Sequence, residues 1–373
     1  MSISEYAYVN ARVGGMRSYL LSVADLKSLM EVQSYEDCIS LLKNTVYGKD
    51  ISKLSSLTLM EIENVFTKSL LIDYDKIAKS LMSAYPKMLV EELQKKFEVS
   101  ALKTIIEMKI AGFTEKEMKG YPWILTEILT EQLIEKLMQL ESVEELIEIL
   151  KFTEYYKALK EAIPKYQETG VATPFIIALD KHHYTEVGKA LDRLSGLDQD
   201  RARLLVGTEI DAKNIIIAIR ARGLPEEDVW DSFIPYRYRV TDDLLRSILT
   251  VSNLNQLSTE LPQFRYTKVI SSALKEYEKI GETLPYDAAY VPLIIEAAEE
   301  YEKTESFLPF ELSLRRFLYV LNKQEFGGNR FHLGVPLAYL HLKENEVKNL
   351  IAILKAKEVG LSAAEIEGLV VYG

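Results

Sequence analysis

Long apolar runs are missing from this 373-residue chain. The longest uninterrupted one is about eight residues, Ala288 to Ile295, and contains a proline, whereas a membrane-spanning helix needs roughly 20 apolar residues. Basic excess is missing as well. Lys and Arg total 45 against 56 Asp and Glu, a net charge of −11, so no generalised attraction to nucleic acid or anionic lipid is expected. The single cysteine, Cys38, excludes an internal disulfide, and it stands in an apolar column that leucine fills elsewhere in the chain. Core filler is therefore expected rather than a reactive thiol. The opening MSISEYAYVN lacks the basic-then-apolar layout of a secretory signal. The expectation is a soluble, intracellular, acidic protein.

Catalytic motifs are equally scarce. Of four histidines only His182 and His183 are adjacent. Neighbours on a helix point about 100° apart and do not readily grip one ion, so two partly exposed histidines on a charged helix are expected. Gly14-Gly15 and Gly327-Gly328 lack the Lys-Ser/Thr of a phosphate loop and are expected to be turn residues. The glutamate-rich stretches Glu127 to Glu148 and Glu296 to Glu302 read as solvated helix faces. No catalytic residue, cofactor or metal ligand is assigned. Period-2 strands are scarce too, and the best candidate is Tyr236 to Val240.

What is present is one sentence written three times. Lys103-Thr104-Ile105-Ile106 leads to Gly112-Phe113-Thr114 and Glu117. Lys213-Asn214-Ile215-Ile216 leads to Gly223-Leu224-Pro225 and Asp228. Lys348-Asn349-Leu350-Ile351 leads to Gly360-Leu361-Ser362 and Glu365. Two further signatures keep step. One opens at Ser34, Ser142 and Asn253 and ends in Tyr47, Tyr155 and Tyr266; the other ends in Tyr74, Tyr184 and Tyr319. From Ser34 to Ser142, Tyr74 to Tyr184 and Gly112 to Gly223 the offsets are 108, 110 and 111. This spacing predicts an all-α chain of three pseudo-repeated helical modules, 1–124, 125–235 and 236–373. The third carries an insertion of about 25 residues between 267 and 318.

Each signature helix keeps an apolar face at i, i+3, i+4 and i+7, as in Ala212, Ile215, Ile216 and Ile219. The first copy departs by placing Lys109 fourth. The glycine that follows is expected in the left-handed conformation that ends a helix, with the next apolar residue able to fold back on the last turn. Thr114-x-x-Glu117 and Ser362-x-x-Glu365 are capping boxes that restart a helix at once, whereas Pro225 forfeits that cap. The stretch Thr126 to Leu150 also carries helical spacing. Positive residues gather at these corners. Part of this charge complements the helix dipole, and Arg220, Arg222, Lys355 and Lys357 are the candidates for contact with a partner.

The thrice-written corner, with the opening Tyr6-Ala7-Tyr8-Val9-Asn10-Ala11-Arg12-Val13 and Leu20-Leu21, resembles the C subunit of archaeal A-type (A/V-type) rotary ATP synthases, related to the d subunit of V-type ATPases. The resemblance spans essentially the whole chain. It implies a funnel of three helical modules about a pseudo-threefold axis, standing on the cytoplasmic face of the membrane proteolipid ring and taking the central-stalk subunits in its socket. It implies no catalysis, no cofactor and no direct nucleotide binding, only coupling of rotation to H⁺ or Na⁺ transport. Two rivals come from the residues alone. A generic α-helical repeat scaffold in a soluble complex would show no membrane association, and a helical metalloenzyme using His182 and His183 would carry stoichiometric metal.

Overall fold

The computed structural model describes residues 3–121, 123–256 and 287–372. It divides into two compact units, one of residues 1–199 with 329–370 and one of residues 200–328 with 371–373. Among the described residues there are helices and turns but no strand. The first unit opens with α1 (Ile3–Arg17), α2 (Val23–Glu31), α3 (Tyr35–Leu42), α4 (Gly48–Ile51), α5 (Leu59–Ser80) and α6 (Ala84–Gln94). It continues with α7 (Lys96–Ile110), α8 (Glu115–Lys119), α9 (Glu131–Gln139), α10 (Val143–Ile149), α11 (Tyr156–Thr169) and α12 (Thr173–Asp192). After α13 (Gly196–Ala202), the second unit holds α14 (Thr208–Arg220), α15 (Glu226–Val229), α16 (Asp242–Thr250), α17 (Asp287–Thr304) and α18 (Leu308–Gln324). The chain then returns to the first unit as α19 (Gly334–Glu358) and α20 (Ala363–Glu367).

Side-chain caps set many of these boundaries. The hydroxyls of Ser34 and Ser142 accept the Asp37 and Glu145 N–H groups and so start α3 and α10 at corresponding places in two copies. Thr126 to Leu150 is two helices rather than one, because the Ser142 cap begins a new helix behind α9. Of the upstream signature's third copy, Asn253 and the short 3-10 turn Leu254–Gln256 are seen, while Tyr266 lies outside the described residues. The insertion expected between 267 and 318 falls partly outside them and partly on α17 and α18.

Two expectations are corrected. Gly14 and Gly15 are not turn residues but lie inside α1, on an open face where an added Cβ would meet nothing within 4 Å. Gly327 and Gly328 do form a turn, with Gly328 at φ +62°. Tyr236 to Val240 is not a strand. The N–H groups of Tyr238, Arg239 and Val240, which a ladder would need, converge instead on the Asp211 carboxylate.

The signature helices pack in an unexpected order. In the first unit α7 buries Leu102, Ile105 and Ile106 in a core with Leu137 of α9, Leu146 of α10, Leu159 of α11 and Leu179 of α12. In the second unit α14 buries Ile215, Ala218 and Ile219 against Leu244 and Ile248 of α16, Ile294 of α17 and Phe310 and Leu314 of α18. α19 packs on α1, α2, α3 and α5. Each signature helix thus completes the core of the next copy, and the third completes the first. The packing groups are offset from the sequence copies by one helix.

Candidate functional site: the three signature-helix joints

The corners form as the glycines require. Gly112 and Gly360 both stand at φ +78°. In each, the N–H of the residue after the glycine reaches back to a carbonyl five residues earlier, Phe113 to Met108 at 3.0 Å and Leu361 to Ala356 at 2.9 Å. The glycine N–H bonds three residues back, which completes a Schellman ending. Capping boxes at Thr114/Glu117 and Ser362/Glu365 then start α8 and α20. The middle corner differs. Gly223, at φ +83°, sends its N–H to the Leu249 carbonyl at the end of α16, and Pro225 provides no side-chain cap. It is the backbone that folds back, not the side chain. Phe113 is 45% exposed and Leu224 57%, so the post-glycine apolar residue does not close over the last turn in these copies.

Behind each corner lies a buried acid that sequence reading did not single out. On α19, Glu346 accepts the Leu21 N–H at 2.5 Å and the Tyr47 hydroxyl at 2.6 Å, with the Lys343 ammonium 2.8 Å away. On α14, Asp211 is fully buried and accepts Tyr238, Arg239 and Val240 N–H at 2.9, 2.8 and 3.1 Å. On α7, Glu98 accepts the Tyr155 hydroxyl at 2.6 Å and the Ile128 N–H at 3.3 Å. It also accepts the Thr126 hydroxyl, which in turn takes the Leu129 N–H at 3.0 Å. Leu21, Leu129 and Val240 each sit immediately before the N-cap of a helix in the next copy, Ser22 of α2, Thr130 of α9 and Thr241 of α16. One device therefore recurs: an acid on one copy's signature helix holds the backbone that enters a helix of the following copy.

The phenols stay protonated donors. Burial, reinforced by Glu346, holds the Tyr47 hydroxyl well above its ordinary range, and burial with Glu98 does the same for Tyr155. Each phenol is thus kept as the donor to its glutamate oxygen. α19 adds further buried contacts: Tyr339 donates to Asp73 at 2.6 Å, Tyr74 donates to Glu344, and Lys96 pairs with Glu344.

The signature Asn and the odd Lys109 also gain a purpose. Asn214 is buried and clamps one residue's backbone, accepting the Ile234 N–H at 2.9 Å and donating to the Ile234 carbonyl at 3.2 Å. Lys109 donates to the carbonyls of Met138 and Leu140 at 2.8 and 2.7 Å, neutralising the end of α9, and burial lowers its pKa.

The four corner cations are scattered in role. Arg220 pairs with Glu311, and Arg222 lies 5.9 Å from the Tyr301 ring centroid. Lys355 meets Glu63 at 2.9 Å. Lys357 is not surface at all, being 8% exposed near Cys38, whose thiol is buried in the core, donates to the Leu29 carbonyl and is pushed up to about 11 by burial. The histidine expectation is corrected in part: His183 is 3% exposed because its face of α12 turns inward, while half-buried His182 lies 3.4 Å from Glu154. Hydrogen bonding to His182 and then to Lys95, 2.8 Å away, holds the Glu154 carboxyl at about 2 against the opposing effect of burial. Among the described residues no three His, Cys, Asp or Glu side chains gather as a metal-binding group.

Only a recurrence of N-caps could have exposed the joints. Ser22, Thr130 and Thr241 repeat at offsets of 108 and 111, the same as Ser34, Ser142 and Asn253. The acids do not repeat cleanly, since Glu98 sits five residues before its signature lysine while Asp211 and Glu346 sit two before theirs.

Comparison with known proteins gives a family-wide match. The family model described as ATP synthase (C/AC39) subunit matches residues 9–369. The A-type ATP synthase C subunit of Methanocaldococcus jannaschii is 29% identical over 375 aligned positions, covering 100% of this chain and 87% of that protein. The A-type ATP synthase C subunits of Methanothermobacter thermautotrophicus and Pyrococcus furiosus are 25% and 24% identical. They cover 98% and 94% of this chain and 88% and 86% of their own lengths.

Proposed function

The chain belongs to the ATP synthase (C/AC39) subunit family, and from that premise we propose that it is the C subunit of an A-type rotary ATP synthase, a non-catalytic member of the central stalk. In this reading it couples the rotating stalk to the membrane proteolipid ring, and rotation passes through it in ATP-driven or ion-driven transport of H⁺ or Na⁺. The observation that carries the proposal is the match along 9–369, which takes in all three signature corners.

The joints suit the task. A torque coupler must not let one copy shear past the next, and a buried carboxylate fixed by several directional donors resists such sliding better than an apolar seam. The modules 1–124, 125–235 and 236–373 stand as a funnel about a pseudo-threefold axis in this reading, each completed by a helix of its neighbour. Three attachment points let modest contacts add through effective concentration. Arg220 and Arg222 in one unit and Lys355 in the other are the candidate contacts, whereas Lys357, at 8% exposed, has little surface to offer. Among the described residues no helix is long and apolar enough to cross a membrane. In this reading attachment is peripheral, on the cytoplasmic face and through proteins.

A tagged copy recovered from detergent-solubilised native membranes tests the reading. Co-purification of a proteolipid together with stalk and nucleotide-binding subunits is the expected result. Recovery from the soluble fraction without any of them would replace the coupler with a repeat scaffold.

A further inference from the structure

The third joint differs from the first in how the chain reaches it. α7 packs on α6, α9, α10 and α12, so its partners all lie between residues 84 and 192. α19 instead meets α1, α2, α3 and α5, and the bonds that hold it span some 300 residues: Tyr47 to Glu346, Tyr74 to Glu344, Asp73 to Tyr339 and Leu21 to Glu346. α1–α5 surround this helix on most of its face, and α19 in turn buries Lys343, Glu344, Glu346 and Asn349 as well as its leucines.

We propose that α19 is a clasp: it closes on α1–α5 in one cooperative step, separable from the opening and closing of α11 and α12, with Lys343, Glu346 and Tyr47 as the catch. The catch is mutual. Lys343 donates to the Tyr47 hydroxyl at 2.6 Å and to Glu346 at 2.8 Å, while Tyr47 donates to the same glutamate. Lys343 and Glu346 pair within α19 itself, so seating adds the Tyr47 hydroxyl and the Leu21 N–H, and partial seating would leave a buried ion pair short of the hydrogen bonds that complete it, which is strongly disfavoured. The helix is therefore either seated with both Tyr47 contacts or not seated at all. Contacts between residues so far apart in sequence form after local ones, because the intervening loop must first be closed. α11 and α12 form their hairpin from adjacent segments and share none of the catch.

Native-state hydrogen exchange on the full-length protein, wild type and Glu346→Gln, tests this. The variant is expected to speed exchange about tenfold or more in peptides of α1–α5 and α19 together, with α11 and α12 changing less than about twofold. An equal rise in α11 and α12, a rise in α19 alone, or no rise in α5 would overturn the clasp. Should Glu346→Gln fail to accumulate folded, the wild type decides. Peptides from α1–α5 and α19 are expected to share one opening free energy and one denaturant slope, both distinct from those of α11 and α12. Separate values for α5 and α19 would overturn it equally.

Discussion

Replacing Asp211 with asparagine isolates the carboxylate of the α14 joint with almost no change in shape. One carboxylate oxygen holds the Arg239 and Val240 N–H groups and the other holds that of Tyr238. An asparagine offers one acceptor and puts an N–H where the second stood. If its oxygen takes the pair, the Tyr238 N–H faces another donor and is left unsatisfied, at about 1–3 kcal/mol. The two remaining bonds lose their charge assistance, about 1 kcal/mol each. The expected loss is therefore about 3–5 kcal/mol, within the range for breaking a buried charge interaction. The second unit comprises 200–328 and 371–373. In a unit of that size the loss lowers the melting temperature by about 10–20 °C. Calorimetry of the full chain, with exchange measured in peptides spanning 234–250, checks both the size and the place of the effect. A variant melting within about 2 °C of wild type, or one whose loosening lies elsewhere, would refute the view that Asp211 organises 238–240.

In the α7 joint, Tyr155→Phe and Glu98→Gln are expected to cost about 2 kcal/mol each, and the double variant less than their sum by about 1–2 kcal/mol. Strict additivity in urea melts would show that the 2.6 Å contact is not energetically shared. Glu154 is lowered from an ordinary 4.5 to about 2, so its contribution is fully present above pH 4.5 and disappears as the pH falls towards 2. Glu154→Gln should therefore flatten the stability profile across that window, by on the order of 1 kcal/mol after solvent screening, and an unchanged profile counts against the Lys95–Glu154–His182 cluster. Gly112→Ala should cost about 1–2 kcal/mol through backbone strain alone, since no atom crowds the site. Gly14→Ala, inside α1 with equal space, should instead stabilise by about 0.5–1 kcal/mol, and equal signs for the two would contradict the left-handed assignment.

Sequence reading reached what local chemistry dictates. Gly112, Gly223 and Gly360 announce left-handed endings because other residues resist that conformation, and Thr114/Glu117 announces a helix start because the reciprocal bonds are three residues apart. Lys109 stood out as a departure, but its targets lie at the C-terminal end of α9, some 30 residues on. Asn214 was visible as a motif letter, whereas its partner Ile234 carries no polar side chain to betray it. An apolar face at helical spacing states that a helix is buried and not against what. That is why the offset pairing of signature helix and following copy was invisible. Glu98 escaped for a different reason: it reaches the same joint from a position one turn earlier, with Thr126 relaying for it.

That offset pairing has a consequence for how such a chain can change by recombination. Each copy supplies one helix to its successor and is completed by one from its predecessor, and α19 returns the series to α1–α5. Open arrays of stacked repeats can gain or lose a member and still end in a suitable terminal repeat. Here, excising one whole copy would ask a signature helix to fit a host it has never packed against, and the three acids stand at two different registers. Duplication would add a helix and a vacancy whose latches do not match. The number of copies is therefore resistant to drift, and divergence is channelled into the stretches between latches.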